Sequence, residues 1–293
     1  MTVFFQEDRL EKLRERIQCL KEKRPVYKEM LDFYQKVREE QEKIKPSLRI
    51  DPILLKKEWE DLLKKEGFPL LQKQDFPLDI EASITLFQSL CRIAKEANPL
   101  MSEQVGKIEG TGAGERLHLS ELLKAGVREK TIEQSAEALG LDKNVFLFLI
   151  RSSTSPSIEE GMKQVSKELN SDSWGRGICP VCGSLPYLSF LGEEAGKRSL
   201  LCSFCGYPWR TERLFCPFCG NKNQATLQFI FAEGEESCRI DLCDQCHQYI
   251  KTIDLRVLQV SDPFLEDLAT LHLDFLASKK GYHRPIPNAW TGR

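Results

Sequence analysis

Cys179-Pro180-Val181-Cys182-Gly183 opens a series of four C-x-x-C pairs, continued by Cys202-Ser203-Phe204-Cys205-Gly206, Cys216-Pro217-Phe218-Cys219-Gly220 and Cys243-Asp244-Gln245-Cys246-His247. One tight backbone turn holds two thiols at this spacing, so both sulfurs can reach a single ion, and two such pairs complete a tetrahedral four-sulfur shell. Nineteen residues separate Cys182 from Cys202 and twenty-three separate Cys219 from Cys243, long enough for a hairpin between knuckles. Sequential pairing therefore predicts one ion on Cys179, Cys182, Cys202 and Cys205, and a second on Cys216, Cys219, Cys243 and Cys246. Glycine follows three of the knuckles, where the turn calls for a residue tolerant of positive φ; His247 follows the fourth.

Other uses of these cysteines fit less well. Disulfides require an oxidising compartment, and the opening MTVFFQEDRLEKLRER shows no uninterrupted apolar signal segment behind a basic start. A thioredoxin-like motif is a single pair at the start of a helix, whereas these pairs recur among prolines and glycines. Paired knuckles also suit a mononuclear ion, zinc or a rubredoxin-like iron, better than an iron–sulfur cluster. Spacing leaves the choice between those two ions open. A catalytic zinc keeps an open position, while eight thiolates close both shells, so no enzyme activity is expected. Rubredoxin-like electron transfer is the alternative function if the ions are iron.

The formal net charge is −2, 29% of residues are charged, and no apolar run approaches the ~20 residues needed to cross a bilayer. A soluble, cytoplasmic protein without membrane association is expected. From Ser171 to Arg256 there are nine Lys/Arg and ten Asp/Glu, and four thiolates around each divalent ion add negative charge. Such a module repels a phosphate backbone, so a nucleic-acid-binding ribbon protein is the least favoured class.

Upstream of the knuckles the pattern is helical. Leu10, Leu13, Ile17 and Leu20, then Tyr27, Met30, Leu31, Tyr34 and Val37 after Pro25, predict two long amphipathic helices. Asp51-Pro52 reads as the cap of a third helix carrying Leu55, Trp59, Leu62 and Leu63, and Ile80, Ile84, Phe87, Cys91 and Ala94 mark a fourth. Shorter helices are predicted over 117–125, 131–139, 143–151 and 158–169. This apolar surface suffices for a helical core that folds without metal. Gly106 to Gly114 lacks both the phosphate-loop ending and the dinucleotide spacing, and reads as a connection. Thr131 to Ile150 imitates a helix-turn-helix, but Val145 to Ile150 offers core side chains rather than base-reading ones. Cys91 and Cys238 read as buried thiols, and His247 as a neighbour of the ligands rather than one of them. Asp262-Pro263 opens an amphipathic helix to Leu276, with Leu265, Leu268, Ala269, Leu271 and Phe275 available to dock on the body or, alternatively, to form a homodimer.

The expected fold is α+β: a helical domain over 1–170, rubredoxin-like or zinc-ribbon modules over 171–212 and 213–261, and a C-terminal helix and tail over 262–293. Trp209, Arg213 and Tyr249 are candidate partner contacts, because Trp, Tyr and Arg most often anchor interfaces; Trp209 alternatively fills the hairpin core.

The four knuckles, Trp209 with Arg213, Tyr249 with Lys251, Asp267-Leu268-Ala269 with Leu271, Leu273 and Asp274, and Gly281-Tyr282 with Arg284-Pro285 resemble the FdhE-type accessory proteins required for formate dehydrogenase assembly. The likeness covers the metal module and tail closely and the helical half mainly in length and character. It implies a cytoplasmic maturation chaperone acting on a formate dehydrogenase catalytic subunit. It further implies rubredoxin-like modules holding two mononuclear ions, with iron favoured over zinc.

Overall fold

The computed structural model describes residues 9–55, 66–110, 116–125, 129–166, 169, 174–192, 196–258, 262–286 and 288. The chain forms two compact units, one of residues 8–54 and 73–165, the other of 1–7, 55–72 and 166–293.

The first unit is helical. α1 (Arg9–Lys23) buries Leu13, Ile17 and Leu20, and α2 (Lys28–Ile44) buries Leu31, Phe33, Tyr34 and Val37. Pro25 opens the short 3-10 turn between them, where its fixed φ fits and its missing N–H costs nothing. α3 (Ile80–Ala97) begins at Asp79, whose carboxylate accepts the Ala82 amide at 3.0 Å, and it buries Ile84, Phe87, Leu90, Cys91 and Ala94. α4 (Pro99–Gly110) takes in Gly106 and Gly110, so that part of the glycine-rich stretch is helix rather than connection. α5 (Arg116–Ala125) and α6 (Glu129–Ala138) follow. Asp51 to Leu55 is not helical, and Trp59, Leu62 and Leu63 lie outside the described residues.

The two helices predicted over 143–151 and 158–169 are one, α7 (Lys143–Ser166), which runs through Pro156. Proline removes the N–H that would bond the carbonyl four residues earlier, here Ser152. Gln41 of α2 replaces it, its Nε2 donating to Ser152 O at 2.7 Å. A side chain from a neighbouring helix, together with the Ser155 hydroxyl at 3.3 Å, thus satisfies the carbonyl that Pro156 leaves open. Phe146, Phe148, Leu149 and Ile150 are buried, which leaves this segment no apolar stripe free to enter a groove.

The second unit centres on one sheet of six strands, β1 (Pro186–Leu191), β2 (Arg198–Cys202), β3 (Pro208–Thr211), β4 (Leu227–Ile230), β5 (Cys238–Cys243) and β6 (Gln248–Asp254), in the order β3-β2-β1-β6-β5-β4. Each set of three is an antiparallel meander, and β1 pairs in parallel with β6 through Leu188–Leu191 and Lys251–Asp254. The arrangement is a tandem in which β1, β2 and β3 correspond to β4, β5 and β6. The modules expected as separate domains over 171–212 and 213–261 therefore share a ladder, and the described residues 66–72 group with them instead of with the helical region.

The tail covers one face of this sheet. α8 (Pro263–Leu268) is capped by Asp262, which accepts the Phe264 and Leu265 amides at 3.0 and 3.2 Å, and α9 (Leu271–Lys279) follows a break at Ala269–Thr270. A single helix to Leu276 was expected. It is interrupted where Lys251 Nζ donates to the carbonyls of Asp267 (2.9 Å) and Thr270 (3.3 Å), a cation favoured at a helix C-terminus. The break changes the inward face: Leu273 and Ala277 pack with Leu188, Phe190, Ile240, Leu242 and Ile253, while Phe275 is exposed.

Candidate metal centres

Three of the four knuckles are turns in which the residue after the pair folds back on the first cysteine. Gly183 N, Gly220 N and His247 N donate to the carbonyls of Cys179, Cys216 and Cys243 at 2.9, 3.0 and 2.8 Å. The residue after each pair is left-handed, with φ of 73°, 69° and 77° at Gly183, Gly206 and Gly220, and 53° at His247. His247 thus adopts the glycine geometry despite its Cβ, with its ring beside Tyr282 and its carbonyl accepting the His283 amide at 2.8 Å. Gly177, ahead of the first knuckle, is required sterically, since a Cβ there would fall 1.8 Å from Pro217 O in the third.

The sulfurs gather in two groups of four, Cys179, Cys182, Cys202 and Cys205, and Cys216, Cys219, Cys243 and Cys246, those within each group lying within 4.8 Å of one another. All eleven cysteines are free thiols. Sulfur separations are 3.7 Å for Cys179–Cys205 and 3.3 Å for Cys182–Cys202 in the first group, and 3.7 Å for Cys216–Cys246 and Cys219–Cys243 in the second. Thiolates at about 2.3 Å from a tetrahedral ion stand ~3.8 Å apart, so both groups could hold an ion with little adjustment.

Electrostatics make the same case. Burial pushes the Cys179 and Cys205 thiols well up, while sulfur contacts from Cys179, Cys202 and Cys205 hold Cys182 far down. In the second group burial raises Cys216, and takes Cys246 up to about 11. At Cys243 burial is outweighed by hydrogen bonds from the Asn221 amide and the Cys246 and Gln245 backbone, which bring it down to about 7. Four sulfurs this close cannot all ionise on their own; a cation removes the conflict.

Beyond the ligands, several residues lock the sheet. Trp209 is fully buried, its indole N–H donating to Arg176 O at 2.9 Å. Tyr249 is buried as well, its hydroxyl donating to Asp274 Oδ1 at 2.8 Å, and burial with Asp274 alongside pushes its phenol upward. These two side chains are core, not surface, because each has a polar tip that finds its partner only inside. Arg213 is exposed.

Two features escaped the sequence reading. Arg198 on β2 is buried, donating to Ser189 Oγ (2.9 Å) and Phe215 O (2.6 Å), with Asp241 of β5 at 3.2 Å, which ties one ribbon to the other. Leu70 and Leu71 form a strap whose amides donate to Pro180 O and Val181 O of the first knuckle at 3.0 and 2.8 Å. An arginine in a strand announces no burial, and a strap held by backbone amides carries no side-chain signal.

Comparison with known proteins follows the same residues. The family model described as FdhE, central domain, matches residues 178–213, and that described as FdhE, C-terminal domain, matches 214–290. The chain is 30% identical over 209 residues to the protein FdhE homolog of Aquifex aeolicus, covering 70% of this chain and 68% of that one. It is 37% identical over 109 residues to the homolog of Shewanella oneidensis, 36% of each chain. The crystal structure of the FdhE protein from Pseudomonas aeruginosa superposes with a TM-score of 0.68 at 20% identity, over 97% of this chain and 96% of that one, a likeness of fold. With the Aquifex relative matched along two thirds of its length and both domain models spanning the knuckles and tail, the chain belongs to the FdhE family.

Proposed function

We propose that this chain is a cytoplasmic chaperone that docks on the catalytic subunit of a formate dehydrogenase during its maturation, with no turnover reaction of its own. Family membership supports a role in formate dehydrogenase maturation. The observation that carries the mechanism is the pair of four-sulfur groups built into a single sheet. On this reading Cys179, Cys182, Cys202 and Cys205 hold one mononuclear ion, and Cys216, Cys219, Cys243 and Cys246 the other, iron in preference to zinc. Neither shell keeps a vacant position for substrate, so what the ions supply is rigidity. Loops fixed before binding lose little conformational entropy on docking, which favours a platform over a catalyst. Arg213, exposed between β3 and the third knuckle, is a contact candidate, whereas Trp209 and Tyr249 act through the shape of the sheet.

The test is co-purification of the metal-loaded protein with a cofactor-free formate dehydrogenase catalytic subunit. Retention that disappears when the ions are stripped supports the reading. Failure to retain the subunit, or retention indifferent to metal, contradicts it.

A further inference from the structure

The two ribbons repeat one design, so corresponding residues can be compared directly: Val181, Cys182 and Gly183 of the first knuckle match Phe218, Cys219 and Gly220 of the third. Val181 and Cys182 are buried and Gly183 is half-buried, whereas Phe218 is half-buried and both Cys219 and Gly220 are exposed. The strap accounts for the contrast. Leu70 and Leu71 bond the carbonyls of the first knuckle, and Pro69 lies against Gly183, 3.1 Å from where a Cβ would stand. A Cβ on Gly220 would meet open space; Gly177 lies against Pro217 O, but among the described residues no strap amide bonds the Phe218 carbonyl or covers Gly220. All four thiols of the first centre are therefore buried, while in the second Cys219 is exposed and Cys246 half-buried.

We propose that the second centre is exchange-competent, with Cys219 as the sulfur that an external thiol or soft chelator displaces, and that the first centre is a closed structural lock. The inference rests on the two-ion reading above. The step is ligand substitution without redox. With an ion held there, an incoming thiol would bond it through sulfur as the bond to Cys219 Sγ is released, and the proton of the incoming thiol would pass to Cys219. Access governs the rate of such exchange, and Cys219 is the ligand sulfur that solvent reaches. Cys182, the corresponding sulfur of the first centre, is shielded behind the strap.

The full-length holoprotein, with metal content counted first, is challenged with a chromogenic pyridylazo chelator and, separately, with glutathione plus a brief iodoacetamide pulse read by peptide mapping. The expected result is two phases, one ion per chain leaving roughly tenfold or more faster than the other, with Cys219 alkylated before any other ligand. Leu70→Pro, which removes the amide donor to Pro180 O without touching a ligand, quickens the slow phase. The pulse on the unsubstituted protein decides the matter even where a variant fails to fold. Release of both ions in one phase, or alkylation of Cys182 ahead of Cys219, overturns this inference alone. Fewer than two ions at the outset overturns the two-ion reading and this inference with it.

Discussion

Lys251 and Asp267 face each other across the interface of β6 and α8, Nζ to Oδ1 at 2.7 Å, with neither side chain more than 2% exposed. Lys251 also lies 2.7 Å from Asp274 Oδ2, and Arg284 Nη1 lies 2.9 Å from Asp267 Oδ1 and 3.3 Å from Asp274 Oδ1. Asn288 donates to Asp267 Oδ2 at 2.7 Å, and Arg284 Nη2 donates to Tyr187 O at 2.8 Å. Two buried cations thus meet two buried carboxylates, and the tail reaches both ribbons through them.

Removing one member of such a network leaves a buried charge uncompensated. Lys251→Met is expected to destabilise the sheet unit by about 3–5 kcal/mol. Urea unfolding followed by tryptophan fluorescence provides the check, and a loss below ~1 kcal/mol would show that the network contributes little.

The pH dependence has a definite sign. Burial would raise the Asp267 carboxyl, but Arg284 and Lys251 outweigh it and hold the group below its ordinary range. A depressed folded value means stability that is complete above the unfolded value of about 3.9 and is lost as pH falls through the folded one. Protection of the Tyr249 amide, which donates to His283 O at 3.0 Å, should persist on acidification to about pH 4 and collapse below it. Hydrogen exchange across a pH series, with intrinsic rates divided out, measures this, and opening already near pH 6 would refute it.

Gln41→Met should leave Ser152 O with only the longer bond from the Ser155 hydroxyl, at 3.3 Å, and cost the helical unit about 0.5–1.5 kcal/mol. Metal content should stay unchanged, because the residue lies in the other compact unit. Equal loss of metal would mean that the two units do not fold separately.

His247→Gly removes a side chain from a left-handed position, relieving on the order of 1 kcal/mol while giving up the contact with Tyr282. Retention of both ions with stability changed by no more than about 1 kcal/mol is expected from metal analysis and thermal melting. Loss of the second ion would assign His247 a role beyond the turn.

What the sequence disclosed depended on the range of the interactions. The thiol groups were legible because each knuckle is a local turn, and α1, α2 and α3 because their apolar spacing repeats within a few residues. Continuity of α7 was hidden, because Pro156 signals a stop and the group that overrides it, Gln41, lies 111 positions from Ser152. The break after α8 was hidden for the same reason, since Lys251 belongs to a strand. Tyr249 looks like a surface anchor in isolation and Trp209 reads equally as anchor or hairpin core; the partners Asp274 and Arg176 O place both side chains inside. The unequal exposure of the two centres rests on a strap more than a hundred residues upstream of the knuckle it covers.

The most direct measurement is native mass spectrometry of the purified full-length chain, counting bound metal before and after mild acid. The account predicts two ions per chain, with the compact charge-state distribution of the sheet unit lost once both have left. A chain that carries no metal yet keeps that compact distribution would contradict it.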